Sequence, residues 1–132
     1  MEELRTDLYK YRLEKSKKDL EGARILFNNK LYAQSINRSY YAIFHCVRAL
    51  LVFDKFDSKK HTGIIAYFNQ NYVKTELLDK KLSEILMSAE KIRMDSDYDD
   101  LFTATDEQAE KQISNAEFFI DTLSDFIIRT KL

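Results

Sequence analysis

Two side chains near the middle of the sequence, Arg38 and His45, have the types and spacing for phosphodiester chemistry. Cutting an RNA strand needs a base for the ribose 2′-hydroxyl proton and a fixed cation for the charge that builds on the phosphorane oxygens. An imidazole and a guanidinium supply both without a metal. Imidazole also titrates between roughly pH 5 and 8, so either proton role is open to it. Seven positions are two helical turns less about 20°, which puts both side chains on one face with Cα atoms about 10.5 Å apart along the axis. One phosphate can touch both. The plainer alternative is an ordinary ion pair for Arg38 and a packed, hydrogen-bonded helix residue for His45.

Other reactive groups offer less. His61 follows Lys59 and Lys60 where a helix should begin, and backbone N–H groups at such an end attract phosphate; a solvated basic turn is the simpler account. Cys46 adjoins His45, but neighbouring helix positions diverge by about 100° and do not converge on one substrate. Two histidines and one cysteine at no recognised metal spacing give little support for zinc. The acidic run Asp95 to Asp100 lacks the glycine and terminal glutamate of a calcium loop and reads as a solvated loop.

The stretch from Gln34 to Val52 must position the Arg and His. Ile36, Tyr40, Ile43, Val47 and Leu50 recur every three or four residues and gather on one side of a helix, which must face a core. Ala42, His45, Ala49 and Val52 lie within roughly 40° of a line through Arg38 on the opposite side. That second face is too apolar for open water. A second copy of the chain across a two-fold axis is the expected cover, with the short helix after Lys60 as the other candidate.

Composition limits the possibilities. A chain of 132 residues with 45% apolar and 13% aromatic content fills one core, so a single domain over 1–132 is expected. With no proline and only Gly22 and Gly63, long helices are unbroken and hairpin turns are scarce. The expected fold is therefore all-α, an antiparallel bundle of about five helices: a four-helix up-and-down core plus a short helix. A lone cysteine suits a reducing cytoplasm, and no apolar run reaches the roughly 20 residues that span a bilayer. A net charge of −1 argues against broad attraction to nucleic acid, so any RNA contact must be local.

The remaining elements follow in order. Leu13, Leu20, Ala23 and Phe27 mark one face of a first helix from about Leu4 to Asn28, and Asn28-Asn29-Lys30 is a turn that returns the chain antiparallel. Ser58 is the expected N-cap of a short helix over about Lys59 to Tyr72. A fourth helix carries Leu78, Leu82, Ile85, Leu86, Ala89 and Ile92, has Lys91 and Arg93 in its last turn, and should stop near Ser96. Thr105 with Gln108 is a capping-box signature, after which Ala109, Ile113, Ala116, Phe119, Ile120, Leu123 and Ile127 form the last buried stripe.

The stretch Asn37-Arg38-Ser39-Tyr40-Tyr41-Ala42-Ile43-Phe44-His45 resembles the HEPN family, small helical-bundle proteins of bacteria and archaea with distant eukaryotic relatives. The match continues through Ala49-Leu50-Leu51, Lys60-His61-Thr62-Gly63 and Arg93-Met94-Asp95-Ser96-Asp97-Tyr98, covering most of the domain in order. The family is known for an Arg and a His separated by four to six residues, and the six between Arg38 and His45 fall at its upper limit. Active members resemble metal-independent endoribonucleases that work as dimers, with the motif in a cleft across the two-fold axis. Many are toxins encoded beside a minimal nucleotidyltransferase that acts as antitoxin.

The resemblance implies a dimeric ribonuclease, the toxin half of such a pair. Arg38 would hold the scissile phosphate, His45 would act as base or acid, and Ser39 would orient one of them. Tyr41, Lys60 and His61 are expected to contact substrate, with no cofactor and no metal. Ser39 stands where catalytic members often carry Asn, Asp or His, and Val47 stands where some toxins carry a Tyr that the antitoxin adenylates. The competing expectation is a noncatalytic adaptor that binds a nucleotidyltransferase, a nucleotide, or both through the same groove.

Overall fold

The computed structural model describes residues 2–132. Five helices, α1 (Glu2–Asn28), α2 (Tyr32–Leu51), α3 (His61–Phe68), α4 (Lys80–Tyr98) and α5 (Asp106–Thr130), make up the all-α bundle. A 3₁₀ turn at Val52–Asp54 follows α2, and a π turn at Asn69–Val73 prolongs α3.

Helix directions follow from the pairing of residues. Between α1 and α2, Ser35 Oγ donates to the Ala23 carbonyl, Ser16 Oγ to that of Ala42, and Arg12 Nη1 to that of Arg48, so one chain climbs as the other descends. Asn37 on Asp97 and Tyr40 beneath Arg93 set α4 antiparallel to α2 in the same way. Lys131 lies 3.9 Å from Asp54, so α5 runs beside α2 in the same direction. The bundle is organised around α2, which packs most extensively on α1, then α5, then α4. Ile36, Tyr40, Ile43, Val47 and Leu50 are buried, as their periodicity predicts, and the last four share one core with Phe68, Leu86, Phe119 and Leu123.

The second face of α2 is covered from within the chain. Ala42, Ala49 and Val52 are all buried in a single copy, and the covering helix is α1 rather than a second copy or α3. Small residues on both helices permit this close approach, and the Ser16 and Ser35 hydroxyls find carbonyl acceptors inside the contact. The apolar face therefore gives no reason for a dimer. Lys15, Lys17 and Lys18 are exposed as expected, but Ser16 among them is buried.

Three boundaries differ from expectation. α4 runs on to Tyr98 because Asp95 and Asp97 each meet a cation one turn earlier, Lys91 at 3.1 Å and Arg93 at 3.6 Å. Lys91 and Arg93 are thus mid-helix, and the expected acidic loop shrinks to the residues after Tyr98. The N-cap of α3 is Lys60, not Ser58, whose Oγ instead accepts the Lys60 N–H at 3.2 Å just outside the helix. At the first turn the left-handed residue is Lys30, with φ 61°, while Asn29 caps the Ile25 carbonyl through its side chain. The capping box at Thr105 and Gln108 forms with both of its hydrogen bonds.

Candidate functional site

Docking of α1 and α4 against α2 leaves one stripe of α2 open, through Gln34, Asn37, Arg38, Tyr41 and Arg48. It is rotated about 60° from the line expected through Arg38, Ala42 and Ala49, because α1 takes the alanines. The stripe forms the floor of a groove. One end opens into a cavity of about 520 Å³ that includes Asn37, Arg38, Ser96 and Asp97. The other end is a cavity of about 670 Å³ lined by Phe44, Arg48, Asp57, Ser58, Lys59 and His61.

Arg38 and His45 meet at a third residue, Asp19 of α1. Its Oδ2 lies 2.8 Å from His45 Nδ1, and its Oδ1 accepts from Arg38 Nη1 at 3.1 Å. An ionised carboxylate only accepts, so Nδ1 carries the proton and the lone pair of a neutral His45 is on Nε2. Arg38 Nε and Nη2 both donate to Asn37 Oδ1, at 3.2 and 2.9 Å, and the guanidinium lies 4.9 Å from the centre of the Tyr41 ring. Three of its five N–H donors are thereby used, leaving two for a ligand. Asn37 in turn donates to Asp97 of α4 at 3.3 Å, which ties the Arg38 platform to both flanking helices.

His61 is set up in the opposite sense. Its ring stacks on Phe44 with centroids 4.0 Å apart, and its Nδ1 lies 2.9 Å from the Tyr40 hydroxyl. Burial first, then the charges of Arg93, His45 and Arg48, hold the His61 imidazole below its ordinary pKa. Burial, reinforced by Glu90 and opposed by Arg93, pushes the Tyr40 phenol up, so it keeps its proton. The phenol has His61 Nδ1 as its hydrogen-bond partner and donates its retained proton there, so the proton of a neutral His61 sits on Nε2. His45 thus presents an acceptor and His61 a donor.

The residues singled out in the sequence fare differently. Arg38 lines one cavity and His61 the other, Tyr41 has its ring 5.7 Å from each imidazole, and His45 is buried and lines neither cavity. Ser39 does not join them: its hydroxyl is buried and has no hydrogen-bond partner, and the residue that touches both Arg38 and His45 is Asp19. Lys60 is exposed at the start of α3, and it is Lys59 that lines the cavity. Cys46 is fully buried, which pushes its thiol up to about 12 and leaves it inert.

Sequence reasoning missed Asp19, Arg93 and the Arg12, Arg48 and Asp57 cluster. Arg93 is buried with its guanidinium 4.6 Å from the Tyr40 ring centre and 5.8 Å from that of Tyr41. A signal for Asp19 did exist, since it falls in helical register with Ser16, Leu20 and Ala23, where an acid on a buried face needs a partner. Among the described residues no group of three or more His, Cys, Asp or Glu side chains is placed to hold a metal ion. No described helix is long and apolar enough to cross a membrane.

Comparison with known proteins agrees with this architecture. The sequence model of the HEPN domain matches residues 9–126. Two proteins of Methanocaldococcus jannaschii named "Putative toxin", MJ0142 and MJ0605, are 33% and 36% identical over 88% and 84% of this chain and 79% and 82% of their own. A UPF0332 protein of Thermotoga maritima is 31% identical over 91% of each. The crystal structure of ST0689, an archaeal HEPN homologue, superposes with a TM-score of 0.64 at 20% identity, covering 90% of this chain and 97% of that one, and so shares the fold. By its sequence match across nearly its whole length, and by the bundle that carries the Arg38 and His45 motif, the chain belongs to the HEPN domain family.

Proposed function

We propose that the chain is a metal-independent endoribonuclease and the toxin of a pair with a minimal nucleotidyltransferase. The observation that carries this reading is the bridge from half-exposed Arg38 through buried Asp19 to His45. Asp19 fixes the His45 ring and its tautomer, so Nε2 takes the 2′-hydroxyl proton, and the carboxylate then balances the imidazolium. Arg38 turns its two unused N–H donors to the phosphate as charge builds. Tyr41 supports Arg38 from below, and His61 offers its Nε2 proton to substrate. The toxin names of two relatives support the biological setting.

The test compares RNA cleavage in the presence of EDTA by the wild type, His45→Ala and Arg38→Ala, each confirmed folded by its thermal melt. Cleavage should be lost in both variants. Equal cutting by wild type and His45→Ala removes His45 from the mechanism. A nucleotidyltransferase in the adjacent reading frame would support the pairing and leave catalysis to be judged by this assay.

A second reading, the noncatalytic adaptor, draws support from the charge balance of the groove. Arg12, Arg38, Arg48 and Arg93 each face an aspartate, so the resting surface is nearly neutral and suits a protein partner. An adaptor leaves RNA uncut at any enzyme concentration yet binds the nucleotidyltransferase. The homodimer stays within the toxin reading on one ground only, that the open α2 stripe puts Arg38 at a surface a second copy can complete. Light scattering at micromolar concentration checks it, and a monomer that cleaves RNA removes the dimer from the mechanism.

A further inference from the structure

The groove contains a second carboxylate held between two cations. Asp57 Oδ2 accepts from Arg48 Nη2 at 2.9 Å and from Arg12 Nη2 at 3.3 Å, while Asp57 Oδ1 takes the Ser58 N–H at 2.8 Å. This repeats the arrangement at Asp19, where one carboxylate also joins two cationic side chains. The two differ in depth. Asp19 is buried, but the Asp57 side chain is 50% exposed, against 12% and 26% for the side chains of Arg12 and Arg48. Solvent therefore reaches the carboxylate before it reaches the arginines.

Arg12 has an anchor besides Asp57, whereas the Arg48 side chain takes Asp57 as its hydrogen-bond partner. Arg12 Nη1 donates to the Arg48 carbonyl at 3.2 Å, across the contact between α1 and α2. Arg48 Nε is buried with no hydrogen-bond partner. Two like charges side by side need an anion, and the guanidinium of Arg12 is lowered from its ordinary pKa by burial first and then by the charge of Arg48. Asp57 arrives on the loop between α2 and α3, whose position depends on a close approach: a Cβ on Gly63 would lie 2.5 Å from Ser58 Oγ. The adjoining cavity of about 670 Å³ is of the size that takes a nucleotide, and Lys59 and the His61 ring line it.

We propose that Arg12 and Arg48, with Lys59 beside them, form a second phosphate-binding subsite for single-stranded RNA, occupied in the free chain by the displaceable carboxylate of Asp57. The proposal rests on the ribonuclease reading for its substrate and extends it along the strand. Arg48 follows His45 by three positions on α2, about 4.5 Å along the axis, so the subsite continues the track that starts at Arg38. Partly exposed ion pairs are weak, so a phosphate brought by the RNA can replace Asp57, and the loop moves away with it.

The experiment is fluorescence anisotropy of a labelled single-stranded oligoribonucleotide across a salt series, in a His45→Ala background that leaves the RNA uncut. Asp57→Asn should bind several-fold tighter than this parent, since it frees the arginines. Arg48→Gln and Lys59→Gln should bind several-fold weaker, each with a salt slope shallower by about 1. Lys59 is exposed, so its variant folds whatever happens at Arg48. ATP offers the same phosphate chemistry and is titrated in parallel. ATP binding that depends on Arg48 while oligonucleotide binding does not would overturn the assignment to RNA. Oligonucleotide binding indifferent to Asp57, Arg48 and Lys59 overturns the subsite and leaves cleavage by the wild type standing. Binding that shows these dependences in a protein whose wild type cuts nothing keeps the subsite and overturns the ribonuclease. No binding by any variant overturns the subsite, and cleavage by the wild type in EDTA then decides the ribonuclease by itself.

Discussion

Asp19 Oδ2 and His45 Nδ1 meet at 2.8 Å across the contact between α1 and α2, from positions 26 residues apart. The contact is buried, and the same carboxylate reaches Arg38, so one residue of α1 fixes the geometry of a motif carried wholly by α2. In the proposed ribonuclease, a base whose ring is clamped in one tautomer needs no reorganisation when the proton moves.

Asp19→Asn keeps the size of the side chain and removes its charge. The amide can donate as well as accept, so His45 loses its fixed tautomer and its counter-charge. Cleavage of RNA in EDTA should fall about 10²-fold or more while circular dichroism is unchanged. Full activity would show that Asp19 is a structural ion-pair partner alone.

The pH dependence of stability should carry the mark of His61. Unfolded, it takes up a proton below about pH 6.5, whereas the folded chain, by burial and the charges of Arg93, His45 and Arg48, resists doing so until the pH is lower. The unfolded state then binds more protons, and stability falls as pH drops below about 6.5. Melting temperatures between about pH 7 and about pH 5 should decline more steeply for the wild type than for His61→Gln. Parallel curves would contradict the depressed value. Asp57 acts in a separate window. Burial would raise its carboxyl, but the Arg48 hydrogen bond, the Ser58 N–H and the charges of Arg48 and Arg12 together lower it. Its contribution is present above about pH 4 and is lost as pH falls further.

Ala49 is buried inside one chain, so Ala49→Arg should abolish cooperative folding rather than convert a dimer into folded monomers. Val47→Ala is the graded version, with an expected loss of about 1–3 kcal/mol in chemical denaturation against about 0.5 or less for exposed Lys17→Ala. A folded Ala49→Arg monomer would mean that α1 does not cover this face in solution.

Gly63→Ala should drive Ser58 off its present position, because the new methyl meets Ser58 Oγ at 2.5 Å and its Cβ at 3.1 Å. A loss of about 1–3 kcal/mol is expected from such overpacking. Combining it with Ser58→Gly should recover much of that loss, measured as coupling in a double-mutant cycle. Additive effects would show that the loop accommodates the methyl by other means.

The sequence by itself determined where the helices lie and which face of α2 enters the core. Helical periodicity and the Thr105 capping box are local properties, fixed by residues three and four apart, and they survive whatever the helices pack against. Spacing also put Arg38 and His45 on one side of α2, and the motif named the family. The end of α4 was less legible, because pairs one turn apart outweigh the turn preference of an aspartate run.

Only the tertiary structure decided what each face meets. The line of Ala42, Ala49 and Val52 looks the same in one dimension whether α1 or a second copy covers it, and serines and alanines on α1 brought that helix close enough to do so. The same docking carried Asp19 to His45 and Arg12 to Asp57, across 26 and 45 positions. A side chain's periodicity gives its direction from its own helix axis, but its partner depends on how two helices are rotated against each other. That rotation is set by the fit of the whole contact surface, which no short stretch of sequence contains.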